Sequence, residues 1–307
     1  MAQNMLSRPA GKRGAIKESL GERIFTVCVY ILFTLLGIAT LFPFLNIIAK
    51  SLSSEAAVIS GMVTLYPIDF QIGTYQWVLG NKQFLNSFKI TVFITVVGTF
   101  CSLLMTVLSA YPLSKTYLSG RKSFLLIFIF TMLFNGGLIP TYLLMQKLGL
   151  VNTVWSLFVP GMISVFNMLI VKNYFEGLPD SLEESAKLDG ASNVRILFSI
   201  MLPLSMPVMA TIGLFYAVTL WNSYFNALVY VTDPALKPLQ LYLKELIAST
   251  SEVMKLAGEI DINNDLNKAP EAVQAASIIT ATVPILCVYP FLQKHFVKGV
   301  LVGSVKG

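Results

Sequence analysis

Apolar residues fall in long blocks along this 307-residue chain, and charged residues are confined to the gaps between them. Six stretches of at least 18 residues contain no Asp, Glu, Lys or Arg: Ile24–Ala49, Ile90–Ser114, Ser123–Gln146, Leu148–Val171, Ile196–Thr232 and Ala272–Gln293. A helix needs about 20 apolar residues to cross the hydrocarbon core of a bilayer. Each block therefore predicts one spanning helix, and the chain reads as an all-α integral membrane protein with six of them. The fifth block is the longest because it includes the end of a polar segment, so its span is expected from about Leu204. Residues 1–23 read as a polar, basic tail, 24–298 as a single membrane domain without internal repeats, and 299–307 as a second short tail.

Two blocks carry marks beyond length. The third is interrupted by Asn135-Gly136-Gly137 and then Pro140. Backbone groups freed there cannot face hydrocarbon, so they must meet protein or water. The segment reads either as a lip of a solute path or as a buried kink. The fifth ends in Trp221-Asn222-Ser223-Tyr224-Phe225-Asn226. On a continuous helix Asn222 and Asn226 would share a face one turn apart. Such amides can line a hydrophilic path or bond between helices, while Trp and Tyr also belong to interfacial belts.

Between the fourth and fifth spans lies a patterned polar segment, Pro179–Pro203, PDSLEESAKLDGASNVRILFSIMLP. Ser181 to Glu184 has capping-box spacing, and acids in a first turn suit the positive end of a helix dipole. Gly190 fits a helix stop, where a left-handed residue is wanted. Ser192 can cap a second short helix that Pro203 ends or kinks. Leu182, Ala186 and Asp189 would share a face of the first helix, which spans about ten residues or roughly 15 Å. Such a small, apolar and charged knob suits a pocket on another protein. Five acids against three basic residues between Lys172 and Arg195 disfavour a helix lying on an anionic membrane surface.

Composition agrees with the blocks: 55% hydrophobic and 12% charged residues, with a net charge of +6. Soluble domains carry about 25% charged residues. With the N-terminus in the cytoplasm, fourteen Lys and Arg fall in inner segments and seven in outer ones, Lys89 lying at an outer mouth. This asymmetry predicts both termini and the 179–203 segment inside. The basic balance reads as topology plus contact with anionic lipid rather than nucleic acid. Cys28, Cys101 and Cys287 all fall within blocks and read as packing residues, not as redox or metal groups.

The spacing Glu184-Ser185-Ala186, then Gly190, then Ile200, Leu202 and Pro203, resembles the E-A-A-x3-G-x9-I-x-L-P signature of ABC-importer membrane subunits, with Ser185 in place of the first Ala. FNGGLIPTYLL, LGLVNT, the Trp221-Asn222 region and the tail ending VKG resemble the carbohydrate-uptake branch. The likeness covers nearly the whole chain and is closest to the smaller, MalG-like permease of maltose-type systems, in the LplC/YtcP-like polysaccharide–oligosaccharide subgroup. It implies a type I importer fold in a bacterial plasma membrane, a second homologous permease, an ABC ATPase dimer holding ATP and Mg, and an extracytoplasmic solute-binding protein. It also implies ATPase coupling through Glu184, Ser185, Ala186, Asp189, Gly190, Ile200, Leu202 and Pro203, with Lys306 near the same interface. On the solute side it leaves Asn135, Gly136, Gly137, Trp221, Asn222 and Asn226 as path candidates.

The chain lacks G-x-x-x-x-G-K-[ST], so it does not hold its own phosphate loop. No catalytic residue, metal ligand set or bound cofactor is expected. An ion-coupled transporter usually keeps acids or His within the membrane as relays, and the six blocks have none; His295, the single histidine, follows the last block. A membrane enzyme would need clustered acids or metal ligands, and only Glu183, Glu184 and Asp189 approach this. A permease for a non-sugar solute is the remaining alternative.

Overall fold

The structure is a computed structural model that describes residues 20–257 and 269–304, with side chains described through 249 and from 269 to 287. Among the described residues fourteen α-helices follow in order: α1 (Leu20–Ser51), α2 (Glu55–Ile59), α3 (Gly73–Gly80), α4 (Lys82–Ser114), α5 (Arg121–Leu133), α6 (Leu138–Lys147), α7 (Val165–Glu176), α8 (Asp180–Leu188), α9 (Asn193–Ile196), α10 (Leu202–Leu204), α11 (Met206–Trp221), α12 (Phe225–Tyr230), α13 (Leu239–Ala257) and α14 (Pro270–Ser304). No strand occurs among the described residues.

The apolar blocks become helices of two kinds. α1, α4 and α14 are each long and apolar enough to cross a membrane unaided. The other three blocks are bent pairs: α5 with α6 at 115°, the 3-10 turns at 154–161 with α7 at 56°, and 193–204 with α11 at 86°. Counting each bent pair as one span gives six. The third block breaks where it was expected to, since Asn135–Gly137 separates α5 from α6 and Gly137 takes a φ of +91°.

α4 is the central post, with α7 and α11 against it. Small residues make that closeness possible: Ser87, Thr91, Gly98, Ser102 and Thr106 are buried along α4. A Cβ on Gly98 would stand 2.8 Å from Leu220 Cδ1, so the missing side chain lets Leu220 of α11 lie directly against α4. Thr106 Oγ1 and Tyr216 OH lie 2.7 Å apart across the same interface, and the Tyr216 oxygen also accepts the Ser164 N–H at 3.0 Å.

α1 is different. It carries no charged residue from Ile24 to Ala49, yet only Ala49 and Ser51 of the helix are buried, so its exposed apolar side chains must meet lipid or another apolar surface. Its end is fixed by the Lys50–Glu271 ion pair to α14 and by Ala49 packing with Ala57, Val58, Ala269 and Ala272.

Some expectations are corrected. The segments between the charge-free blocks, for which no helix beyond the 179–203 segment was expected, hold α2 and α3, and α13, whose Leu239, Leu241 and Leu243 are buried. Cys28 and Cys287 are exposed on this chain rather than packed within it, and Cys101 is half-buried. Lys306 and the 305–307 end of the tail lie outside the described residues, as do residues 1–19 and the side chain of His295.

Candidate coupling surface and path

The α8 segment starts two residues earlier than its capping-box pattern implied. Pro179 occupies the N-cap without any side-chain cap bond, and Ser181 lies inside the helix. Asp180 and Glu183 still place acids in the first turn. The stop is as expected. Gly190 has φ +78°, the Ala191 N–H bonds the Ala186 carbonyl at 2.9 Å, and the Gly190 N–H bonds the Lys187 carbonyl at 3.0 Å. This pair of bonds is a Schellman motif, which needs a left-handed residue at its turn. Nothing lies within 4 Å of a Cβ built on Gly190, so conformation rather than space selects glycine.

Ser192 then caps α9 by accepting the Arg195 N–H at 3.4 Å. The path widens into a π turn over Leu197–Met201, where the Leu202 N–H reaches back to the Leu197 carbonyl. Pro203 does not itself end the helix; Pro203 has no N–H to give, and the break falls at Ser205, before Pro207 at the start of α11.

The seven residues matched to the signature, and Asp189 within its first gap, divide by environment. Glu184, Ser185, Asp189, Gly190 and Pro203 are exposed, Ile200 and Leu202 pack partly buried against the core, and Ala186 is buried in it. The expected common face of Leu182, Ala186 and Asp189 therefore does not present as a unit, because Ala186 turns inward. What remains outside is a polar strip edged by Leu182, Leu188 and Val194, with Leu188 89% exposed.

Sequence reasoning missed the role of Glu183. This acid is only 6% exposed, forms an ion pair with Lys115 at the end of α4, and pairs with Lys187 at 2.8 Å. Tyr117 OH donates to it at 2.9 Å. Burial pushes its carboxyl pKa up, but hydrogen bonds from Lys115, Lys187 and Tyr117 outweigh burial and hold it at about 2. The hydrogen bond to Glu183 in turn raises Lys187 above the ordinary lysine value. The signal available beforehand was slight: Glu183 and Ala186 are three residues apart, hence on one face.

The path candidates are not brought together. Trp221 and Asn222 line a cavity of about 600 Å³ with Tyr224, Gln240, Lys244 and residues of α14. Asn226 does not, because α11 ends at Trp221 and a break precedes α12. Its amide donates to the Leu157 carbonyl at 3.1 Å, tying α12 to the turn before α7. Asn222 Nδ2 donates to Val218 of its own helix at 2.8 Å. Asn135 closes its own turn by accepting the Gly137 N–H at 2.9 Å, and Asn135–Gly137 are exposed outside that cavity. No group of three or more metal-ligating side chains occurs among the described residues.

Residues 15–302 match the family described as binding-protein-dependent transport system inner membrane component, and the chain belongs to it. Among its relatives in Bacillus subtilis (strain 168) is the protein LplC, 45% identical over 93% of this chain and 96% of that one. Another is the polygalacturonan/rhamnogalacturonan transport system permease protein YtcP, 41% identical over 93% of this chain and 99% of its own. Among solved structures, a chain of a bacterial ABC transporter involved in import of the acidic polysaccharide alginate superposes with a TM-score of 0.82. It is 36% identical, with coverage of 91% of this chain and 99% of that one. The fold is thus that of an importer's membrane subunit.

Proposed function

We propose that this chain is the smaller permease subunit of an ABC importer for oligosaccharides, and that it couples solute passage to ATP hydrolysis in a separate subunit. The observation that carries this reading is α8: a short helix with a Schellman stop, buried on the Glu183 side and exposed on the Glu184 side, with Leu188 uncovered. A helix anchored on one face and bare on the other is suited to a groove on a partner. Glu184, Ser185, Asp189 and Gly190 would meet an ABC ATPase dimer, which would hold the ATP and Mg, with no cofactor bound by this chain. Ala186, Ile200, Leu202 and Pro203 would set the shape behind that surface.

The remaining partners follow from what this chain leaves bare. The apolar flank of α1 would meet lipid or a second, homologous permease, and the far end would receive an extracytoplasmic binding protein. The Lys and Arg asymmetry supports cytoplasmic termini in a bacterial plasma membrane. Sugar as the solute is supported by the polygalacturonan/rhamnogalacturonan and alginate systems of two relatives and by the cavity walls. Trp221, Tyr224, Asn222 and Gln240 offer rings to stack on sugar faces and amides for hydroxyls. Reconstituting the co-purified complex in liposomes with labelled maltodextrins and galacturonan oligomers tests this. Uptake should require ATP on the α8 side; uptake driven by an ion gradient without ATP would overturn it.

A further inference from the structure

The coupling reading uses the exposed face of α8 and leaves the buried face without a task. A desolvated carboxylate is a poor way to gain stability, since well-packed apolar residues of similar volume often do as well or better. Of the partners of Glu183, Lys187 is on α8 itself, while Lys115 and Tyr117 lie at and beyond the end of α4. Lys115 is the C-cap residue of α4, its ammonium 5.0 Å from the centre of the Tyr111 ring and paired with Glu183. Lys187 lies 4.6 Å from the centre of the Tyr117 ring and donates to the Tyr117 hydroxyl at 3.3 Å. Two cations and the Tyr117 hydroxyl thus grip one carboxylate, and the grip joins α8 to the end of α4 and the turn after it.

α4 ends at that site and runs from there to the opposite end of the molecule. Its 33 residues extend about 50 Å as one helix. At the opposite end Gln83 and Asn86 donate to the carbonyls of Pro234 and Ala235 at 2.7 and 2.6 Å. Thr91 Oγ1 accepts the Leu239 N–H at 2.7 Å, so the start of α13 is fastened to α4. α13 also forms one wall of the 600 Å³ cavity. By chain connection alone, α8 hangs from α7 by Gly177-Leu178-Pro179.

We infer that the Glu183–Lys115 lock makes α8 and α4 one body, so that displacement of α8 by a docked ATPase is carried along α4 to α13 and the cavity mouth. Glu183 and Lys115 are then positioning residues for coupling, distinct from Glu184, which meets the partner. The inference rests on the docking role proposed above.

Spin labels at Asp180 on α8 and Leu108 on α4, both exposed, read the distance across the lock in the complex purified with its own ATPase. In the otherwise unaltered chain the distance distribution should be the same with and without ATP–vanadate trapping. In Glu183→Gln and in Lys115→Met it should broaden and shift on trapping while ATP hydrolysis continues; Lys115→Arg should keep the single distance. A nucleotide-dependent change in the unaltered chain overturns the lock without any variant having to fold. So does a distribution in Glu183→Gln that matches the unaltered chain when only its melting temperature has fallen. If the unaltered chain brings down no ATPase, the docking reading fails first and the lock falls with it.

Discussion

Glu183 and Glu184 are adjacent in sequence and face opposite ways: Glu183 is buried against Lys115, and Glu184 is exposed to solvent. One acid anchors α8 to its own chain, and the other is the one proposed above to meet a partner. Substitutions at the two positions should therefore fail differently. Glu183→Ala leaves the Lys115 ammonium poorly matched and should lower stability by about 2–4 kcal/mol, less than a fully buried pair because Lys115 keeps some solvent. Glu184→Ala should leave the melting temperature of the isolated chain unchanged. Thermal unfolding of both variants in detergent makes the comparison.

Gly190 supplies a second separation. Its φ of +78° disfavours any side chain, and nothing crowds the position. Gly190→Val should cost about 1–2 kcal/mol and loosen the α8 turn, while Gly190→Asn should cost less because Asn tolerates the left-handed region. Equal behaviour of Val and Asn in protease protection of the 179–203 segment would contradict this.

Gly98 is the opposite case, selected by space. Gly98→Ala puts a methyl 2.8 Å from Leu220 Cδ1 and 3.3 Å from Phe158 Cβ. The Leu220 methyl can swing aside, so Ala should cost about 1 kcal/mol, whereas Gly98→Leu should cost about 3 kcal/mol or more by forcing α11 from α4. The fraction of monodisperse protein after extraction reports the difference.

The two amides at the end of the fifth block should also part company. Asn226→Leu removes the bond to the Leu157 carbonyl, should cost about 0.6–1 kcal/mol, and should lower uptake only in proportion to lost complex. Asn222→Leu forfeits a bond within its own helix and removes a polar group from the cavity wall. It should reduce uptake at constant complex. Uptake per assembled complex, measured for each variant, decides.

The pH dependence has a defined sign. Glu183 sits at about 2, below its ordinary 4.5, so its stabilisation is present above pH 4.5 and lost as pH falls toward 2. The difference in melting temperature between the parent chain and Glu183→Gln should therefore be flat from about pH 6 to 8 and shrink below about pH 4.5. A difference that changes between pH 6 and 8 would contradict the pairing.

Much of this architecture could be seen in the chain itself, for a physical reason: hydrocarbon excludes charge, so spans announce themselves as charge-free blocks. The Asn135–Gly137 break and the Gly190 stop were legible because backbone conformations at those places require particular residues. α13 was not, because a half-buried amphipathic helix resembles a charged loop when only charge is counted. The Asn222–Asn226 face failed because nothing in WNSYFN reveals that the helix ends at Trp221. Glu183 was hidden for a different reason: its burial depends on Lys115, at the end of a distant span.

The central claim is that the exposed side of α8 joins this chain to a separate ATPase. The most direct measurement is the amount of ATPase retained by the affinity-purified chain with Glu184 intact and with Glu184→Lys, at equal membrane insertion. The parent chain should retain the ATPase and take up labelled oligosaccharide only with ATP, and Glu184→Lys should lose both. Full retention of the ATPase and normal uptake in Glu184→Lys would contradict the assignment.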